Sequence, residues 1–102
     1  MQKINYKKLL LKKNKEPISC LTAYSKPLAN ILDGNVDLIL VGDSLGTTLY
    51  GMKNTRNVSL EMMKNHGKAV VSNTRKSMTI IDMPYNTYRN KKEALRNALD
   101  IL

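Results

Sequence analysis

The 102-residue chain has no tryptophan and no phenylalanine, one cysteine and one histidine. Cys20 alone cannot close an internal disulfide. Inside the apolar run ISCLTA it reads as a small buried hydrophobe, and His66 stands far from it in sequence, so no Cys–His nucleophile is indicated. No apolar run approaches the roughly 18 residues that cross a bilayer. The opening MQKINYKKLLLKKNK has an apolar stretch of only three, too short for a signal peptide. The expectation is a soluble, cytoplasmic protein with no membrane partner. Acidic side chains are scarce: 8 Asp and Glu stand against 17 Lys and Arg, a net charge of +9. That balance suggests a polyanion as partner, but its distribution argues otherwise. Six lysines (Lys3, Lys7, Lys8, Lys12, Lys13 and Lys15) fall in the first sixteen residues, and residues 17–102 keep 11 basic and 7 acidic side chains, a net +4. Without aromatic and basic residues interleaved to stack bases, no nucleic-acid partner is expected.

What the chain does contain is an alternation of two kinds of segment. Asn5 can cap a short helix over YKKLLLKK, which Asn14 to Pro17 ends. ISCLTA, Ile18–Ala23, reads as a strand covered on both faces. Ser25 can cap the next helix, with Pro27 in its first turn, Leu28, Ile31 and Leu32 as its apolar face and Gly34 as its terminator. VDLILV, Val36–Val41, is the clearest strand. Gly42 to Asn57 follows as a long loop rich in Gly, Thr and Asn, of a length that in a compact domain is usually functional or disordered. Ser59 then caps a helix in which Met62, Met63, His66, Ala69 and Val70 recur at helical spacing, Glu61 suiting its start and Arg75 and Lys76 its end. MTIIDM, Met78–Met83, is the third strand, and KKEALRNALDIL a last helix with Ala94, Leu95, Ala98 and Leu99 inward.

A helix followed by β-α-β-α-β-α predicts three parallel neighbouring strands joined by right-handed crossovers. Parallel sheets this small leave two open edges, so the pattern reads as the start of a barrel. In such folds, functional groups gather at the carboxyl ends of strands. Asp43 follows the second strand by two residues and Asp82 stands near the end of the third. Strands about 4.8 Å apart would bring the two carboxylates together. Two acids this close are tolerable around a divalent cation, and hard oxygen donors favour Mg²⁺ over Zn²⁺. On spacing alone a second reading stays open, in which Asp43 caps a turn and Asp82 the loop before Pro84.

ISCLTAY, VDLILVGDSLG, YG, VSLEMMKNHGKAV, IIDMPYNTY and EALRNA resemble, in order and separation, the amino-terminal part of the ketopantoate hydroxymethyltransferases. The resemblance covers nearly the whole chain. It implies an α/β fold, the first three βα units of a (β/α)8 TIM barrel of the phosphoenolpyruvate/pyruvate type behind a short N-terminal helix. Residues 1–102 would then be one incomplete barrel domain. It further implies a homo-oligomer, a decamer at full length. The activity implied is Mg²⁺-dependent transfer of a hydroxymethyl group from 5,10-methylenetetrahydrofolate to 3-methyl-2-oxobutanoate, giving 2-dehydropantoate in pantothenate biosynthesis. Asp43 and Asp82 match the family's Mg²⁺ ligands, each also near the 2-oxo acid, and Ser44 matches a contact to the substrate carboxylate. His66 matches a recurring histidine and is expected to pack rather than react, while Tyr24, at the end of strand one, could line the pocket, a core tyrosine with a satisfied hydroxyl being the more common case.

Ser25 departs from the family's acidic residue after TAY, TRNVS from a proline-containing stretch, and Tyr85 and Asn86 from the DMPF-G-Y loop. The third metal-binding glutamate, a substrate-binding lysine and the general base are expected beyond residue 102. Isolated, the segment is therefore expected to be inactive. The alternatives are a non-catalytic fragment acting by association and another Mg²⁺-dependent enzyme of 2-oxo acid enolates.

Overall fold

Three polar side chains set three helix starts in the computed structural model, which describes residues 3–102. Asn5 accepts from the Lys8 N–H at 2.9 Å and opens α1, Tyr6–Lys12. Ser59 accepts from the Met62 N–H at 3.1 Å and opens α4, Leu60–Val71. Asn90 accepts from the Glu93 N–H at 2.8 Å and opens α5, Lys91–Ile101. Each of these bonds satisfies one of the amide groups that a helix start leaves without a partner. Ser25 occupies the same position before α2, Lys26–Leu32, with Pro27 in the first turn, but makes no side-chain cap bond. Between the helices run β1, Cys20–Thr22, β2, Leu38–Val41, and β3, Met78–Ile81. They form one parallel sheet in the order β1-β2-β3, with Leu40 paired to Thr22 on one side and to Ile80 on the other.

The long loop after β2 holds a short helix that the sequence reading missed, α3, Leu45–Thr48. Its Leu45 and Gly46 are buried. A Cβ on Gly46 would come within 2.5 Å of Val58 Cγ2 and 3.2 Å of Met52 Sδ, so only glycine lets the loop's two limbs close.

One contact decides which sheet face is covered. Gly67 of α4 lies so close to Ile81 that a Cβ there would stand 2.5 Å from Ile81 Cδ1. Side chains alternate along strands, so Ile39, Val41 and Ile81 share the helix-facing side. The core forms there, from Ala23, Ala29, Val36, Ile39, Val41, Leu45, Val58, Met63 and Val70. Cys20, Thr22, Leu40 and Ile80 point the other way, to a face that no described element covers. This corrects two expectations. The first strand is shorter than ISCLTA and exposed throughout, and Cys20 is exposed, because β1 is an edge strand: Cys20 and Thr22 lie on the bare face, and Leu21, on the helix side, is itself left half open. On α2 the inward residue is Ala29, while Leu28 and Ile31 are exposed. Leu95 and Leu99 of α5 are likewise exposed, at 64% and 61%. The helix turns Glu93 inward instead, where it accepts from the Arg89 backbone N–H at 2.8 Å and from its guanidinium. The open sheet gives a radius of gyration of 14.2 Å, above the roughly 13 Å of a closed domain this long.

Carboxylates lock the end where the strands begin. Asp37, buried, accepts from Lys12 Nζ at 2.7 Å, from the Ser19 N–H at 3.0 Å and from the Ser19 hydroxyl at 3.1 Å. Asp33 accepts from the backbone N–H groups of Arg75, Lys76 and Ser77 at 2.8–2.9 Å. The Lys12 hydrogen bond, with Ser19, holds the Asp37 carboxyl below its ordinary range. Burial pushes Asp33 up, but the Ser77, Arg75 and Lys76 donors outweigh it and the net shift is downward. Arg89 draws Glu93 from 4.5 to about 2.

All three groups bind protons less readily folded than unfolded, so their stabilisation is complete at neutral pH; the Glu93 part is lost as pH falls from about 4.5 to about 2, and the Asp33 and Asp37 parts as pH falls below 3.8. Urea unfolding of the chain should show its midpoint falling across that window, and Glu93→Gln should flatten the fall. Separately, Gly46→Ala should cost about 1–3 kcal/mol, because Val58 is β-branched and stiff. Gly67→Ala should cost less, since Ile81 Cδ1 is the end of a flexible side chain and alanine favours the helix. Equal midpoint shifts for the two glycine variants would contradict this packing.

Candidate active site

The register that pairs Val41 with Ile81 also sets the residues just beyond them level. The ladder runs one step further, the Asp82 N–H donating to the Val41 carbonyl at 3.0 Å. Asp82 therefore keeps the alternation of Ile80 and stands on the uncovered face at the carboxyl end of β3. Its Oδ2 accepts from the Asp43 N–H at 3.0 Å. The structure thus brings both predicted carboxylate residues together at one strand-end corner, each half-buried. The Asp43 carboxylate takes no hydrogen bond from the described residues, so its lone pairs remain available.

Gly42 sits between the groups of the corner. A Cβ there would stand 3.2 Å from Ser44 Oγ, crowding it, and 3.4 Å from Asp82 Oδ2, in ordinary contact. Ser44, the third predicted residue, begins α3. Its hydroxyl shares a 2.6 Å hydrogen bond with the Tyr24 hydroxyl, which reaches over from the end of β1. The expected tyrosine with a satisfied hydroxyl is thus present, and its partner is Ser44. Its backbone carbonyl lies 2.8 Å from His66 Nδ1, and His66 Nε2 lies 2.8 Å from the Tyr50 hydroxyl. The expected packed, hydrogen-bonded histidine is what the structure shows. Tyr50, half of the YG pair, has no role assigned from the sequence; its signal is a tyrosine beside a glycine, sixteen residues before the only histidine.

Two carboxylates, a serine hydroxyl and a tyrosine hydroxyl make an all-oxygen donor set suited to a hard cation such as Mg²⁺ and unsuited to a soft one. Among the described residues no three of His, Cys, Asp or Glu gather to hold a metal, so the corner offers part of a coordination sphere. A groove of about 810 Å³ lies elsewhere, between α4, α5 and the outer flank of β3, lined by Val71, Thr79, Ile81, Met83 and Ile101. Its lining holds none of the corner residues and reflects the unpaired flank of β3.

A family model described as ketopantoate hydroxymethyltransferase matches residues 3–102. This chain belongs to the ketopantoate hydroxymethyltransferase family. It is 55% identical over 91 residues to a 3-methyl-2-oxobutanoate hydroxymethyltransferase of Pelagibacter ubique, a match covering 89% of this chain and 35% of the relative. Relatives of the same name in Rhizobium etli and Anaplasma marginale are 53% and 50% identical. Those matches cover 88% and 97% of this chain, and 33% and 36% of the relatives. The chain spans about a third of the length of the curated relatives it matches. One departure from the family loop has a visible accommodation. Asn86 adopts a left-handed backbone, φ +69°, which asparagine tolerates better than most residues.

The Asp43–Asp82 bond can be read directly by amide hydrogen exchange. Asp82→Ala should speed exchange at the Asp43 amide about tenfold, the loss expected for one charge-assisted bond, with the Ile39 amide unchanged. Unaltered protection at Asp43 would count against the pairing.

Proposed function

We propose that this chain forms the first three βα units of a (β/α)8 barrel and carries the opening part of the active site of a Mg²⁺-dependent 3-methyl-2-oxobutanoate hydroxymethyltransferase. The observation that carries this reading is the convergence of Asp43 and Asp82, joined through the Asp43 N–H, at the strand-end corner of a chain of this family. The Asp43 carboxylate and the free oxygen of Asp82 would hold the ion. When bound, Mg²⁺ supplies Lewis acidity that stabilises negative charge on the keto oxygen as the C3 proton leaves. The Ser44 hydroxyl would donate to the substrate carboxylate while accepting from Tyr24, which orients it. Gly42 would let the 2-oxo acid approach backbone and carboxylates alike. The hydroxymethyl donor would be 5,10-methylenetetrahydrofolate. No described residue near the corner is placed as the general base, and none is assigned that role.

Within this reading the 102 residues alone do not turn over. Two carboxylates bind Mg²⁺ weakly without further ligands, so Mg²⁺ by itself should move the melting temperature by less than about 2 °C. A fusion of this chain to the remaining two thirds of the Pelagibacter ubique relative should form 2-dehydropantoate from 3-methyl-2-oxobutanoate, methylenetetrahydrofolate and Mg²⁺. In that fusion Asp43→Asn and Asp82→Asn should each lower kcat/KM by at least about 100-fold. Turnover by the 102 residues alone, or full activity in either variant, would overturn the proposal. The bare sheet face, with Cys20, Thr22 and Ile80 exposed, also supports association with further polypeptide. Sedimentation of the chain alone should then show species larger than a monomer as concentration rises.

A further inference from the structure

A carbonyl oxygen can only accept a hydrogen bond, so the 2.8 Å contact between His66 Nδ1 and the Tyr24 carbonyl places a hydrogen on Nδ1. In the neutral ring Nε2 is then an acceptor, and the Tyr50 hydroxyl, 2.8 Å away, must donate to it. The two rings meet edge to face, their centroids 5.8 Å apart and their planes at 90°, a geometry that holds the hydroxyl on the nitrogen and adds its own attraction. The Tyr24 carbonyl therefore selects the Nδ1–H tautomer of His66, and the Tyr50 hydroxyl, able to donate or accept, donates to Nε2 and steadies the ring in its grip on the end of β1.

The gripped residue is Tyr24, whose hydroxyl stands 2.6 Å from Ser44 Oγ. Four residues from four separate segments thus form one chain of bonds, from the loop after α3 through α4 to the end of β1 and on to the start of α3. The bond at Ser44 has two possible directions, and only one leaves work for Ser44. If Tyr24 donates, the serine hydrogen is free for an anionic oxygen at the corner; if Ser44 donates, it is spent. We propose that His66, held by Tyr50, is a positioning residue that fixes Tyr24 so that the Ser44 hydroxyl is turned toward a carboxylate ligand. This rests on the reading of Ser44 as a contact to the 2-oxo acid, while the juxtaposition itself does not.

The test uses the chain without metal or substrate, so its failure is separate from failure of the proposed reaction. Ring ¹⁵N resonances of His66 should show the Nδ1–H tautomer in excess. Tyr50→Phe should leave the Nδ1–H tautomer in excess, because the Tyr24 carbonyl selects it, but should loosen the ring and move the Tyr24 Cζ and Ser44 Cβ resonances while exchange at the Ile39 and Val41 amides stays unchanged. His66→Asn, which can offer an amide N–H near the Nδ1 position, should keep the Tyr24 and Ser44 resonances near their native values, whereas His66→Leu should move them. An Nε2–H tautomer in the native chain, unmoved Tyr24 and Ser44 resonances in Tyr50→Phe, or equal effects of His66→Asn and His66→Leu would each overturn the proposal. An Ile39 amide exchanging as fast as in an unstructured peptide would overturn it too, since the network requires the fold.

Discussion

The parallel register of β2 between its two neighbours is the constraint on which the site depends. Pairing Leu40 with Thr22 and with Ile80 sets the three strand ends at one height. From there the chain needs only one more ladder bond, Asp82 N–H to the Val41 carbonyl, to carry the second carboxylate to the corner. A slip of one residue would turn Asp82 to the helix side, against the buried Val41 and Met63, where a charge has no partner. The core and the site therefore enforce each other: the arrangement that buries Ile39, Val41 and Ile81 against α4 is the one that presents Asp82 on the opposite face.

Family membership and geometry contribute different things. The match over residues 3–102 says which proteins this chain is related to. The structure adds how the corner is assembled: through backbone donation from Asp43, through the absence of a Cβ at Gly42, and through tyrosine hydroxyls brought in from β1 and the loop after α3. Six of the 17 basic residues fall in the first sixteen, in and around α1, where Lys12 reaches Asp37.

Much of this was legible in the sequence because it is local. Asn5 and Ser59 cap the helices they precede, and the apolar run before Gly42 is the central strand, since caps and burial patterns act over a few residues. The meeting of Asp43 and Asp82 at neighbouring strand ends follows from strand order and parallel pairing, both of which the alternation of segments implies. What the sequence hid depends on partners distant in the chain. Cys20, Leu95 and Leu99 read as core because they are apolar at the right spacing, yet burial requires a neighbour, and none of the described elements covers them. Helix α3 was hidden by its glycine and threonines, poor helix formers that tertiary contacts with Val58 and Met52 hold in place. The Tyr50–His66–Tyr24 chain joins residues 16 and 42 positions apart, beyond any periodicity argument.

The chain uses the same residue type at the two ends of its sheet in opposite ways. Where the strands begin, Asp33 and Asp37 are filled by amide, hydroxyl and ammonium donors. Where they end, Asp43 is left with open lone pairs and Asp82 with one oxygen unclaimed. The fold is thus modular along the strand axis, one pole a foundation and the other a socket. Selection can revise what the socket holds, residue by residue, without disturbing the hydrogen bonds that keep the strands aligned.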